Sequence, residues 1–174
     1  QTVSILTTTG FGTADYELWA FFAQFLILIL MFIGGMGGST AGGMKIVRMM
    51  LIIKYAALET RRMLHAKAII PIRIGERFIS GDVIRNTLGF FLFYIFIFVF
   101  TSFMLTTINI DLKSSMGVAA SALGNIGPAL GQFGPTDNYA LLPDAAKWLL
   151  TFCMLLGRLE IFTVVVLFSK TFRN

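Results

Sequence analysis

The sequence predicts an all-α membrane protein built from spanning helices and shorter re-entrant half-helices, with one spanning helix broken by glycine. Three observations predict it. The 174 residues are 56% hydrophobic and only 13% charged, against about 25% charged in an ordinary soluble domain. Long apolar runs recur at intervals of membrane length. Between two of them residues 34 to 43 read Gly-Gly-Met-Gly-Gly-Ser-Thr-Ala-Gly-Gly, with six glycines in ten positions.

The first apolar run extends from Leu18 to Ile33, with Gln24 its strongly polar residue. It ends at the glycine cluster, because each Gly costs about 1 kcal/mol relative to Ala inside a helix. A helix resumes at Met44, so the two pieces form one spanning element with an interruption. Broken backbone at membrane depth is tolerated only where it is buried in protein or lines a water-filled cavity. The cluster is therefore expected to line or move within a permeation path. The second run is Leu88 to Ile108 and the third Trp148 to Phe168, each about one bilayer thick. Trp148 stands where an interfacial anchor belongs.

Charge orients the chain. Nine basic residues lie between Met44 and Asn86, against Glu59, Glu76 and Asp82. Between Asn109 and Lys147 only Lys113 and Lys147 stand against Asp111, Asp137 and Asp144. The basic loop, residues 44–86, is expected in the cytoplasm with the C-terminus (Lys170, Arg173), and the acidic segments with Asp15 and Glu17 outside. The net charge of +5 is thus read as topology, not as a nucleic-acid surface. In the basic loop, residues 68–74 and 77–79 flank Gly75-Glu76 as a short hairpin. Cys153 is the single cysteine and His65 the single histidine, which excludes a disulfide framework and a multi-His metal site. No cofactor is expected.

Two outer segments carry the chemistry. Thr7-Thr8-Thr9-Gly10-Phe11-Gly12 precedes the first run, and Gly124-Asn125-Ile126-Gly127-Pro128 lies between the last two. The second follows a predicted half-helix, Ser114 to Leu123, with Asp111 or Ser114 as N-cap. A half-helix ending there aims the negative end of its dipole at a cation. The extended segment after it presents carbonyls that replace a hydration shell. Thr8-Thr9-Gly10-Phe11-Gly12 matches the potassium-channel filter pattern Thr-Val-Gly-Tyr-Gly at the first Thr and both Gly. Ordinary glycine turns are the alternative for each segment, but both lie outside and upstream of a spanning run, which makes Gly10 and Gly127 equivalent positions in a repeat.

Arg158 and Glu160 fall near the centre of the last run. A central charge costs about 2.5–3.5 kcal/mol on insertion scales, so either the two fix helix packing or Arg158 faces the ion path. Two residues on a helix are about 200° apart, which argues against a local pair. Lys45 is either the first cytoplasmic positive charge or part of the loop it follows. A Walker loop needs Gly-Lys-Ser or Gly-Lys-Thr, and Gly43-Met44-Lys45 breaks it. An intramembrane enzyme would need a base beside Ser39, and His65 lies away from it. A secondary transporter coupling solute or potassium flux to a sodium or proton gradient also uses a broken helix and is the main rival; a merely structural fragment leaves both outer segments unexplained.

Thr-Thr-Gly-Phe-Gly, then Gly-Gly-Met-Gly-Gly-Ser-Thr-Ala-Gly-Gly-Met-Lys, then Gly-Asn-Ile-Gly-Pro-Ala-Leu-Gly and Gly-Arg-Leu-Glu-Ile-Phe-Thr together resemble the Trk/Ktr/HKT superfamily of potassium transporters, most closely the membrane subunits of bacterial Trk uptake systems. The resemblance covers nearly the whole chain. It implies four covalently linked repeats around one pore, of which this chain resembles the C-terminal part. Residues 1–64 would end the third repeat, 65–87 form a cytosolic connector, and 88–174 make the fourth repeat. The resemblance assigns Thr8, Thr9, Gly10, Phe11 and Gly12 to the third filter segment and Asn125, Ile126 and Gly127 to the fourth, with potassium as substrate. It makes Gly34, Gly35, Gly37, Gly38, Ser39, Thr40, Ala41, Gly42 and Gly43, with Lys45, an intramembrane gating loop, and places Arg158 near the ion path. It also implies a multi-pass protein of the bacterial inner membrane, a homodimer, and a cytosolic ring of nucleotide-binding regulatory subunits. Two repeats cannot close a four-sided pore, so either the other half lies elsewhere in a longer protein, which is the favoured expectation, or two copies assemble.

Overall fold

The structure, a computed structural model, describes residues 1–39, 41–64, 72–75 and 77–159. Thr40, His65, the segment 68–71, Glu76, Glu160 and the charges at 170 and 173 lie outside the described residues.

The chain opens with a short helix α1 (Thr2–Leu6), a loop, and a single 3-10 turn at Tyr16–Leu18. Asp15 starts that turn by accepting a hydrogen bond from the Glu17 amide at 2.9 Å. Helix α2 (Phe21–Phe32) then runs to the glycine cluster. It is shorter than the predicted run because the 3-10 turn takes Leu18 and the strand β1 (Ile33–Gly34) takes Ile33. Gln24, the polar residue of this helix, is buried and donates back to the carbonyls of Glu17 at 2.7 Å and Trp19 at 2.9 Å. It thereby fixes the entry of the helix.

Strand β2 (Met44–Lys45) pairs in parallel with β1, Ile33 opposite Met44 and Gly34 opposite Lys45. The chain therefore leaves the glycine loop beside the point where it entered, and α3 (Ile46–Leu64) continues onward. A two-residue antiparallel hairpin follows, β3 (Arg73–Ile74) with β4 (Arg77–Phe78), around Gly75 at φ 58°. That agrees with the predicted turn over its described residues.

Helix α4 (Gly81–Thr107) is long and apolar enough to cross a membrane. It begins at Gly81 rather than Leu88 because charged residues occupy its first turns, where Arg85 pairs with Asp82 one turn back. Phe90, Tyr94, Ile97, Phe98, Thr101 and Leu105 form one buried stripe at helical spacing. Leu92, Phe96, Val99 and Phe103 form an equally apolar but exposed one. A helix apolar all round suits lipid on its free side.

Helix α5 (Leu112–Gly124) is the half-helix, with Asp111 as its N-cap accepting from the Ser114 amide at 3.0 Å. It is packed by α2, α4 and α6 (Asp144–Arg158) and is buried from Val118 to Gly124. Its Ala, Ser and Gly side chains allow that close approach. Thr101 of α4 meets the buried Cys153 of α6 at 3.1 Å. Trp148, the predicted anchor, is 77% exposed on α6.

Candidate functional site

The two predicted filter segments begin from similar backbone turns. After α1, Thr8 takes the left-handed conformation at φ 56° and Gly10 follows at φ 79°; after α5, Asn125 takes it at φ 54° and Gly127 follows at φ 109°. In both, the amide one residue past the left-handed position bonds a carbonyl five residues back: Thr9 to Ser4 at 2.9 Å, Ile126 to Ser121 at 3.0 Å. This is the Schellman closure of a helix C-terminus. Asn accepts the left-handed position readily, whereas the β-branched Thr8 is strained there. Such strain persists only where the surroundings impose it, as functional sites do. Gly10 and Gly127 thus follow helix ends closed in the same way.

The segments also touch. A methyl group placed on Gly10 would stand 2.1 Å from the Ile126 carbonyl oxygen, so no side chain fits between them. Their outer ends are sewn together by groups the sequence reading did not single out for this role. The Tyr16 hydroxyl donates to the Ala129 carbonyl at 2.7 Å, and the Gly131 amide donates to the Glu17 carboxylate at 2.7 Å. Lys113 at the start of α5 pairs with the same carboxylate. Burial, then the Glu17 charge, raises the Tyr16 phenol above its ordinary value, so it stays protonated and donates. Phe11 is 75% exposed, turned away from this packing.

The glycine loop lies under the end of α5. A methyl on Gly42 would stand 2.3 Å from the Gly124 carbonyl oxygen, and one on Gly124 would stand 3.1 Å from the Met31 carbonyl oxygen. Gly42 thus rests on the negative end of the α5 dipole. Lys45 is only 8% exposed. Its ammonium turns back to donate to the carbonyls of Ser39 at 2.6 Å and Ala41 at 2.5 Å. Of the two roles open to Lys45, the structure shows contact with the loop. The Ser39 hydroxyl accepts from the Ala41 amide at 3.1 Å. Gly34 is buried within this loop and Gly43 is at φ 71°, while Gly37 and Gly38 form its exposed tip; Gly35 packs on Ser39.

Arg158 ends α6 with an exposed side chain. It lines a groove shared with Asn125 and Met154, and the Asn125 amide donates to the Met154 carbonyl at 3.0 Å. The preceding Gly157 sits against α5, where an added methyl would stand 2.0 Å from the Leu123 carbonyl oxygen. The α6 end, the glycine loop and the second filter segment therefore converge on the last residues of α5. Sequence reading missed Gly157, Tyr139, Ser4 and Ser121. The two serines had a signal, since each lies six residues before the glycine of its segment.

All but the last residue of the chain, residues 1–173, matches the family model TrkH, described as cation transport protein. It is 40% identical to the Trk system potassium uptake protein TrkH of Halomonas elongata over 99% of this chain and 35% of that protein. It is 37% identical to the Trk system potassium uptake protein TrkH of Escherichia coli K12, again over 99% of this chain and 35% of that one. The crystal structure of the potassium transporter TrkH from Vibrio parahaemolyticus superposes with a TM-score of 0.89 at 38% identity, covering 99% of this chain and 36% of that chain. The chain spans about a third of the length of these relatives. Its fold is that of an all-α membrane transporter, and it belongs to the TrkH family of cation transport proteins.

Proposed function

We propose that this chain supplies two of four quarters of a potassium path through a bacterial inner membrane. The carrying observation is the pair of matched helix ends, Thr8–Gly10 and Asn125–Gly127, held against one another. Each delivers backbone free of helical hydrogen bonding in front of a helix C-terminus, the arrangement that offers carbonyl oxygens to a dehydrated cation. The relatives named as potassium uptake proteins support potassium as that cation. Gly127 supports the four-quarter reading: among the described residues a methyl on it would meet nothing within 4 Å, whereas Gly10 faces Ile126. A further filter segment, standing to Gly127 as Ile126 stands to Gly10, fits that open side.

In this reading Thr8, Thr9, Gly10, Phe11 and Gly12 belong to one filter segment and Asn125, Ile126 and Gly127 to the next. Residues 34–43, held by Lys45, form a gate beneath them, and Arg158 borders the path below the filter, where its charge limits how tightly cations dwell. The division into 1–64, 65–87 and 88–174, the cytoplasmic position of residues 44–86, a homodimer and a nucleotide-binding regulatory ring belong to the same proposal. The basic residues of the inner loop support the topology. Flux through the full-length parent protein in liposomes tests it. Potassium and rubidium passing well ahead of sodium and lithium is the expected result; equal passage of all four, or flux whose reversal potential follows sodium or protons, overturns the carbonyl filter in favour of a coupled transporter.

A further inference from the structure

Both backbone polar groups of Gly127, one in each of the two peptide planes that flank its Cα, are held by side chains from outside its own segment. Its amide donates to the Ser121 hydroxyl at 3.1 Å, and its carbonyl accepts from the Tyr139 hydroxyl at 2.6 Å. Ser121 is 2% exposed and rigid in the last turns of α5. The Tyr139 ring is half-buried and lies flat on Phe133, centroids 5.2 Å apart at 10°. Among the described residues the third segment shows no such pair: Ser4, the counterpart of Ser121, donates instead to the Phe11 carbonyl at 2.8 Å. At φ 109°, Gly127 has the freedom of glycine and would otherwise rotate cheaply.

We propose that Tyr139 and Ser121 are the positioning residues that set cation selectivity in the fourth filter segment, by fixing the orientation of the Gly127 carbonyl. This deepens the filter reading and rests on it. A carbonyl oxygen has two acceptor sites. Tyr139 takes one and holds the group still, which leaves the other for a cation at a set distance. A filter whose carbonyls stay put disfavours the smaller sodium ion, because closing in on it means breaking the Tyr139 bond. Burial pushes the Tyr139 phenol up to about 12, with the Ser121 hydroxyl pulling the other way, so the donor stays protonated at working pH.

Tyr139→Phe keeps the stack on Phe133 and removes only the hydroxyl. In the full-length parent in liposomes, the rubidium-to-sodium uptake ratio is expected to fall about fivefold, the factor one neutral hydrogen bond is worth. Ser121→Ala is expected to lower it in the same direction. A variant in which both fluxes fall together with an unchanged ratio, at matched protein incorporation, assigns the tyrosine a merely structural role and overturns the proposal. Gly127→Ala separates the two levels. If it changes the ratio while Tyr139→Phe and Ser121→Ala do not, the clamp fails and the filter reading stands. If none of the three changes the ratio, the filter assignment itself fails and takes the clamp with it. Should Tyr139→Phe not insert, the Ser121→Ala ratio alone decides.

Discussion

Lys45 donates to the Ala41 carbonyl at 2.5 Å, closing the glycine loop onto its own exit strand. The loop is pinned at its base by β1–β2 pairing and from within by an ammonium. Its shape is therefore not a matter of glycine flexibility alone.

Replacing Lys45 with Met keeps the length of the side chain and removes both charged hydrogen bonds. Such bonds are worth about 1.5–3 kcal/mol, enough to shift a closed-to-open balance roughly tenfold. Rubidium uptake by the full-length parent is expected to rise. Unchanged uptake at equal incorporation would remove Lys45 from the gate.

Deleting residues 36–38 shortens the exposed tip of the loop while leaving Ile33 opposite Met44. On the proposed gating role, unitary conductance in bilayers is expected to increase. A conductance equal to that of the parent would count against residues 34–43 as the gate.

Gly10→Val adds a branched side chain at φ 79° where even a methyl stands 2.1 Å from the Ile126 oxygen. Uptake is expected to be abolished while the protein still inserts. Preserved uptake and preserved selectivity would sink the assignment of this segment to the filter.

Gly157→Ala drives a methyl into the Leu123 carbonyl, 2.0 Å away. Overpacking of this kind costs about 1–3 kcal/mol, so the thermal midpoint of the purified parent protein is expected to drop by several degrees. Gly38→Ala, whose added methyl meets nothing within 4 Å, is the matched control and is expected to leave the midpoint in place.

Asp111 links the α5 cap to pH. Partial burial raises its carboxyl, but hydrogen bonds from the Ser114 hydroxyl and amide, aided by Lys113, outweigh it and hold the group below the usual carboxylate range. A lowered folded value means the stabilisation is full above the unfolded carboxylate value, about 3.9, and fades as pH falls through the lower folded one. Asp111→Asn caps almost as well but does not titrate. Its thermal midpoint is expected to fall less steeply than the parent's when the outer pH is taken below about 4; parallel curves would contradict the cap's role.

The sequence by itself determined the membrane class, the break at residues 34–43, the half-helix with its Asp111 cap and the hairpin around Gly75. Each follows from local composition: glycine ends helices, short polar side chains start them, and apolar length matches a bilayer. Only the tertiary structure decided which distant groups meet. That Gly10 abuts Ile126, that Gly42 and Gly157 both seat on the end of α5, that Tyr139 holds the Gly127 carbonyl and that Tyr16 holds the Ala129 carbonyl just past that segment depend on how helices far apart in sequence pack. A tyrosine in a polar loop looks the same whether its hydroxyl meets water or a distant backbone carbonyl. The ends of α2 and α4 also moved from their expected places, because hydropathy marks where a helix is apolar, whereas hydrogen bonding and charge pairing decide where it starts and stops.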